Sequence, residues 1–223
     1  MAKRYLLLGA IVALAIGAGY WLNRPSGVAP GAIGLDAQAQ EATASSEAQM
    51  VPDMVLGRQD APVEVIEYAS FTCPHCARFH DTVFGELKKN YIDTGKVRFV
   101  YREVYFDKFG LWAGMVARCG GAEKYFPISD IIYDTQHDWL APGEAAGIAA
   151  NLRKIGLKAG LSAEAVDACL ADNDMAKAMV ATYQANATRD GIDSTPSFII
   201  DGQKYSNMSY EDFAKILDEK LAR

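Results

Sequence analysis

Cys73-Pro74-His75-Cys76 sets two thiols three positions apart, directly after the apolar run Val63 to Ala69 and at the start of an amphipathic helical pattern. Two cysteines so spaced can close a small disulfide ring and exchange it with another thiol. At a helix start the first sulfur faces unpaired backbone N–H groups and the positive end of the helix dipole, both of which favour a thiolate over a thiol. Pro74 has no N–H to lose and a backbone angle suited to the first turn. His75, when protonated, adds positive charge beside the Cys73 sulfur. A thiolate pKa lowered by about three units stabilises that ion by roughly 4 kcal/mol. Stabilising the reduced form makes the disulfide a stronger oxidant, so the dipeptide between the cysteines acts as a redox control. Cys73 is read as the nucleophile and Cys76 as its resolving partner.

The same motif has a metal-binding alternative, because Cys73, Cys76 and His80 could supply three zinc ligands. No fourth ligand lies nearby, and Cys119 and Cys169 do not form a second CxxC. No metal is therefore expected; His80 and His137 are read as structural or surface residues. Glu67, six positions before Cys73 in the apolar run, has two readings. It is either a buried carboxylate that relays a proton to or from Cys76, or else an exposed strand-end acid or one paired with Arg98 or Arg102. Glu64 is assigned to the surface. Phe99, Tyr101, Tyr105, Phe106, Phe109 and Trp112 are read as mostly core, a few of them lining an apolar groove beside the dithiol.

The elements that must hold these groups follow from periodicity. Val63 to Ala69 reads as a central strand covered on both faces. Cys76, Phe79, His80, Val83, Phe84 and Leu87 recur at helical spacing, giving a helix that ends before Gly95. Val97 to Tyr101 is the next strand, reached by a right-handed crossover. From Gly110 to about Thr188 the pattern is helical, with breaks expected at Gly120-Gly121, Pro127, Pro142-Gly143 and Gly160 and an N-cap at Ser162. The chain then returns to strand at Ser197 to Asp201, turns at Gly202, and runs through a short strand near Lys204 and Tyr205. A helix from Ser209 follows, with Phe213, Ile216, Leu217 and Leu221 on its buried face. The fold class is α/β, a βαβ unit followed by a helical insertion into the sheet domain.

Glu67-Tyr68-Ala69-Ser70-Phe71-Thr72-Cys73-Pro74-His75-Cys76, with the distant Thr195-Pro196 before another strand, resembles the DsbA-like branch of the thioredoxin superfamily. The resemblance covers roughly residues 51 to 223. It implies a thioredoxin fold with an inserted α-helical subdomain at about 110–188, and thiol-disulfide oxidoreductase activity that introduces disulfides into proteins without organic cofactor or metal. It further implies a cis Pro196 against the dithiol, with Thr195 facing the substrate, where the base rate alone favours trans. Glu67 would take the family's proton-relay role. Many dedicated oxidases of this type carry Val before the proline, so Thr195 keeps an isomerase or reductase as the alternative. A non-redox zinc-binding or client-holding module is the alternative of another class. Some relatives carry a second disulfide in the insertion, which here would be Cys119 with Cys169; the other reading of that pair is two buried free thiols.

Residues 1–50 look unlike a folded domain. Lys3 and Arg4 precede an uncharged run from Tyr5 to Leu22, at the lower edge of what spans a bilayer and longer than a usual signal-peptide core. Residues 1–23 are read as a signal anchor, with a cleaved signal peptide as the alternative, and 24–50 as a flexible linker. Either reading exports the domain, to the periplasm by the resemblance, where disulfides persist; the anchor reading also tethers it to the inner membrane by residues 5–22. The formal charge is −6, and −9 without residues 1–24, so nothing points to nucleic acid. The expected partners are unfolded or reduced exported proteins and a DsbB-like membrane quinone reductase. The absence of an evident dimerisation segment favours a monomer.

Overall fold

The computed structural model describes residues 50–223. The anchor read at 1–23 and nearly all of the linker read at 24–50 lie outside the described residues. Among the described residues no helix is long and apolar enough to cross a membrane.

Five strands form one sheet in the order β1-β3-β2-β4-β5. β2 (Val63–Ala69) is central, parallel to β3 (Val97–Glu103) and antiparallel to β4 (Ser197–Ile200). β1 (Met54–Leu56) and β5 (Gln203–Ser206) are the antiparallel edges. The near-continuous apolar run of β2 is explained by burial on both faces. Val63, Val65 and Ala69 enter the main core, while Ile66 and Tyr68 pack in a second cluster with Val100 and Val104 on the opposite face. Glu67 has the parity of the first set, opposite Tyr101 on β3 and Phe198 on β4. The turn from β4 to β5 puts Asp201 (φ 44°) and Gly202 (φ 79°) in the left-handed region, as a tight two-residue hairpin requires.

β2 leads to a helical stretch over residues 74–92. It begins as α1 (Pro74–Phe79), widens to π-helical turns at His80–Phe84 and Lys88–Ile92, and has α2 (Gly85–Leu87) between them. Phe79 packs on Phe198 of β4, ring centroids 4.8 Å apart, and fixes the helix on the sheet. Six further helices follow β3: α3 (Lys108–Cys119), α4 (Gly121–Asp134), α5 (Gln136–Leu140), α6 (Ala145–Lys158), α7 (Ala163–Ala171) and α8 (Asn173–Arg189). α9 (Tyr210–Leu221) closes the chain, with Ser209 capping it through Asp212 N–H. The fold is the α/β arrangement with an inserted helical subdomain.

One expected break is absent. Pro127 lies inside α4 rather than ending it. Proline removes one N–H from the helix interior, an intrinsic cost of about 3 kcal/mol. Tyr125, Phe126, Ile128, Ile132 and Tyr133 are buried on both sides of Pro127, and that packing carries the helix through. Gly120, Pro142-Gly143 and Gly160 do fall between helices, and the Ser162 hydroxyl caps α7 by accepting from Ala165 N–H.

The insertion is bound to the sheet by a buried ion pair. Arg118 of α3 donates through Nε and Nη2 to both oxygens of Glu103 at the end of β3, at 2.7 and 2.6 Å. The two side chains are 7% and 5% exposed, and Tyr125 also donates to Glu103 at 2.9 Å. Removing one partner strands the other charge out of water. Arg118→Ala is expected to lower stability by about 3–5 kcal/mol, read as a lower urea midpoint with an unchanged slope.

Candidate active site

Cys73 is the N-cap of α1, in an extended conformation, with Pro74 at the first helical position. Cys73 is buried, with 7% of the residue exposed, while Cys76, one turn on, is fully buried; both are free thiols. The two sulfurs titrate in opposite directions. The Cys76 thiol donates a hydrogen bond to the Cys73 sulfur and is the largest influence lowering the Cys73 pKa, to about 5 against an ordinary 9.0. Burial opposes this, and the Thr195 side chain and the backbone N–H groups of Cys76 and His75 reinforce it. Burial first, then the hydrogen bond to Cys73 and the charge of Glu67, push the Cys76 thiol far up. The result is one ready thiolate beside one reluctant thiol.

His75 acts on this site through its backbone. His75 is exposed, and its N–H favours the Cys73 thiolate. Pro74 is likewise exposed.

The Thr195-Pro196 peptide is cis, at the entry to β4. Pro196 is buried, and the Thr195 carbonyl accepts from the Cys73 thiol at 3.6 Å. Chain segments about 120 residues apart thus meet at one sulfur.

The loop before Cys73 is held from the insertion. Gln136 of α5 donates its Nε2 to the carbonyls of Phe71 (2.8 Å) and Cys73 (3.0 Å). Thr72 donates to Asp107 at 2.9 Å, and Asp107 in turn caps α3 by accepting from Phe109 and Gly110 N–H. Gly110 allows this approach, since a Cβ there would sit 3.3 Å from the Ser70 hydroxyl oxygen and 3.4 Å from that of Thr72. The sequence reading missed Gln136 and Asp107. Asp107 carried a signal, as an N-capping type just before a helical pattern; a lone Gln on a five-residue helix carried none.

Glu67 is fully buried, so the strand-end reading does not hold. Nor does it pair with an arginine: Arg98 pairs with Glu64, and Arg102 with Asp53 and Asp190. Its partner is His80, whose Nε2 lies 3.1 Å from Glu67 Oε2, with side-chain exposures of 6% and 0%. Glu67 Oε1 and His80 Nδ1 are buried with no hydrogen-bond partner. A buried polar atom left so costs about 1–3 kcal/mol, which marks this pair for a use other than stability. His80, the third donor of the zinc alternative, is thereby turned into the protein beneath Tyr133. Among the described residues no group of three or more His, Cys, Asp or Glu is placed to hold a metal ion.

Of the remaining candidates, Cys119 and Cys169 are joined as a disulfide, with Cα atoms 5.8 Å apart, tying α3 to α7. The link constrains a loop of fifty positions, for which chain entropy sets a ceiling of about 4 kcal/mol. Phe99 and Tyr101 are core, whereas Phe106 is 60% exposed.

The depressed Cys73 pKa fixes the sign of a pH dependence. It stabilises the reduced folded chain in full above the unfolded thiol value near 9, and the contribution is lost as pH falls through about 5. Alkylation of the reduced chain is expected to titrate at Cys73 with a midpoint near 5, while Cys76 stays unreactive through neutral pH. Mass spectrometry of iodoacetamide-treated samples across a pH series checks it.

Comparison with known proteins agrees with this geometry. A family model described as thioredoxin matches residues 49–219. A Rickettsia bellii protein named "Putative protein-disulfide oxidoreductase" is 34% identical over 170 residues, covering 76% of this chain and 64% of that protein. The chain thus spans just under two thirds of the length of that relative. "Disulfide bond formation protein D" of Bacillus subtilis is 26% identical over 183 residues, 75% of this chain and 76% of that one. The crystal structure of Wolbachia pipientis alpha-DsbA1 superposes with a TM-score of 0.70 at 28% identity, covering 77% of this chain and 92% of that chain. With the dithiol at the carboxyl end of a central strand, a cis-proline against it and helices inserted after β3, the chain belongs to the thioredoxin family, in its DsbA-like branch.

Proposed function

We propose that the chain is an exported thiol-disulfide oxidoreductase that introduces disulfides into reduced proteins. The observation that carries this reading is the opposed titration of Cys73 and Cys76. A substrate thiolate attacks Cys73 Sγ of the oxidised pair; the Cys73–Cys76 bond breaks and its electrons pass to the Cys76 sulfur, which takes up a proton. The mixed disulfide between substrate and Cys73 is then attacked at the substrate sulfur by a second substrate thiolate. Cys73 leaves as a thiolate, and the stability of that ion at neutral pH makes it a good leaving group. The substrate gains a disulfide and the protein is left as a dithiol.

Glu67 is suited to exchange the Cys76 proton, since its charge acts directly on that thiol. Thr195 and Pro196 would present backbone groups to an extended substrate segment. The relatives' names support disulfide chemistry; export rests on the apolar run Tyr5 to Leu22. The domain would work in the periplasm as a monomer, held at the inner membrane or released, and be reoxidised by a DsbB-like quinone reductase. Thr195 before the proline favours a second reading, an isomerase or reductase that keeps the pair reduced.

The equilibrium potential of the Cys73-Cys76 pair decides the direction. In a glutathione series the full chain, with Cys119 and Cys169 intact, is expected near the roughly −120 mV of strong oxidants; a value near the roughly −270 mV of thioredoxin would sink the oxidase reading. Oxidised chain should transfer its disulfide to an unfolded two-cysteine client, and Cys73→Ser should abolish the transfer.

A further inference from the structure

The proton that Cys76 must gain and lose has to be stored nearby, in a place closed to solvent. We propose that His80 is a positioning residue for thiol exchange, forming with Glu67 a two-ended dyad that holds this proton. The inference rests on the redox reading above and assigns it a residue outside the Cys-Pro-His-Cys motif.

His80 follows Cys76 by four positions on one continuous helical stretch, so both side chains face the sheet where Glu67 stands. The helix widens to π geometry at His80 itself, an irregularity that recurs at functional sites. The imidazole sits in an aromatic box. Tyr133 stacks on it at 4.2 Å with planes 17° apart, Phe84 lies at 4.7 Å, and Phe79 and Tyr101 close the edges at 5.6 and 6.0 Å. The Tyr101 and Tyr133 hydroxyls are engaged with each other at 2.5 Å. Glu67 is the hydrogen-bond partner that remains for His80, and the box fixes the ring that meets it.

A carboxyl oxygen 3.1 Å from an imidazole nitrogen shares one hydrogen with it. Such a pair can take a second proton at either outer atom, the other carboxyl oxygen or the other ring nitrogen. These are Glu67 Oε1 and His80 Nδ1, the two buried side-chain polar atoms that lack partners among the described residues. When Cys76 displaces a thiol from Cys73, its S–H bond breaks and the proton passes to the dyad. The Cys76 sulfur bonds Cys73 Sγ, and the departing sulfur leaves with the electron pair. In the opposite direction the dyad returns the proton to Cys76. The other titratable groups facing His80 are Tyr101 from β3, Tyr133 and Asp130 from α4, and Cys76 from its own helical stretch; Asp134 and Lys88 act on Asp130 in turn. Burial already disfavours the charge of Asp130, which leaves Glu67 as the carboxylate joined to the ring.

The test is the rate at which Cys76 expels glutathione from a Cys73–glutathione mixed disulfide, followed on the full chain across acidic to alkaline pH. At neutral pH, His80→Gln and Glu67→Gln should each slow closure about tenfold, less than the 10²–10⁴ of a group that transfers the proton unaided. Each should also erase an inflection that the wild type shows below the thiol range. The double variant should be no slower than either single one, as for residues acting as a unit. His80→Phe, which keeps the stacked ring and lacks its nitrogens, should match His80→Gln and serves if that variant does not fold. A wild-type rate and inflection in the His80 variants, or a double variant whose loss is the product of the single losses, overturns the dyad. A wild-type chain that never expels glutathione overturns the redox reading, and the dyad with it.

Discussion

The structure depends on the unequal treatment of two thiols one helical turn apart. Cys73 stands where a strand has ended and a helix has yet to pair its first N–H groups, so negative charge is welcomed there. Cys76, within the helix, is pressed against the sheet beside a carboxylate. Helix capping, strand burial and loop anchoring all serve this asymmetry. A more exposed Cys76 would compete for charge, and a less constrained Cys73 would lose the N–H groups that hold it ionised.

Much of this was legible in the chain. The run Val63 to Ala69, the period from Cys76 to Leu87 and the turn at Asp201-Gly202 carry strand, helix and hairpin through patterns set by local geometry. The helical insertion was visible as a long loss of alternation. Pro127 misled because propensity is a weak local term and burial along α4 outweighs it. The partner of Glu67 was hidden for another reason. His80 showed its helical phase with Cys76, but nothing in one dimension says which strand residue that phase will face. Arg98 and Arg102 were the plausible partners by charge, and both point to other acids.

The insertion is part of the site. Gln136 grips the loop that delivers Cys73 at Phe71 and Cys73, Asp107 grips it at Thr72 between them, and Tyr133 roofs the histidine behind it. The sheet supplies the dithiol and the proline, and the helices set the loop that carries the nucleophile. The Arg118–Glu103 pair keeps α3 in register with the sheet, and the Cys119–Cys169 link ties α7 to α3. Loop positions set from two sides hold the nucleophile more narrowly than a loop anchored by its own strand alone.

The strand order also dictates when the site can exist. β2 precedes β4 by well over a hundred residues, yet Val65 pairs with Ile200 and Tyr68 with Ser197. Until residues 197–200 have emerged, one side of the central strand is an open edge and Thr195 is absent from beside Cys73. A chain still being synthesised therefore carries its two thiols without the segment that completes their surroundings. The reactive centre is therefore complete only after a long-range pairing has closed, so an unfinished chain carries the dithiol without its finished surroundings.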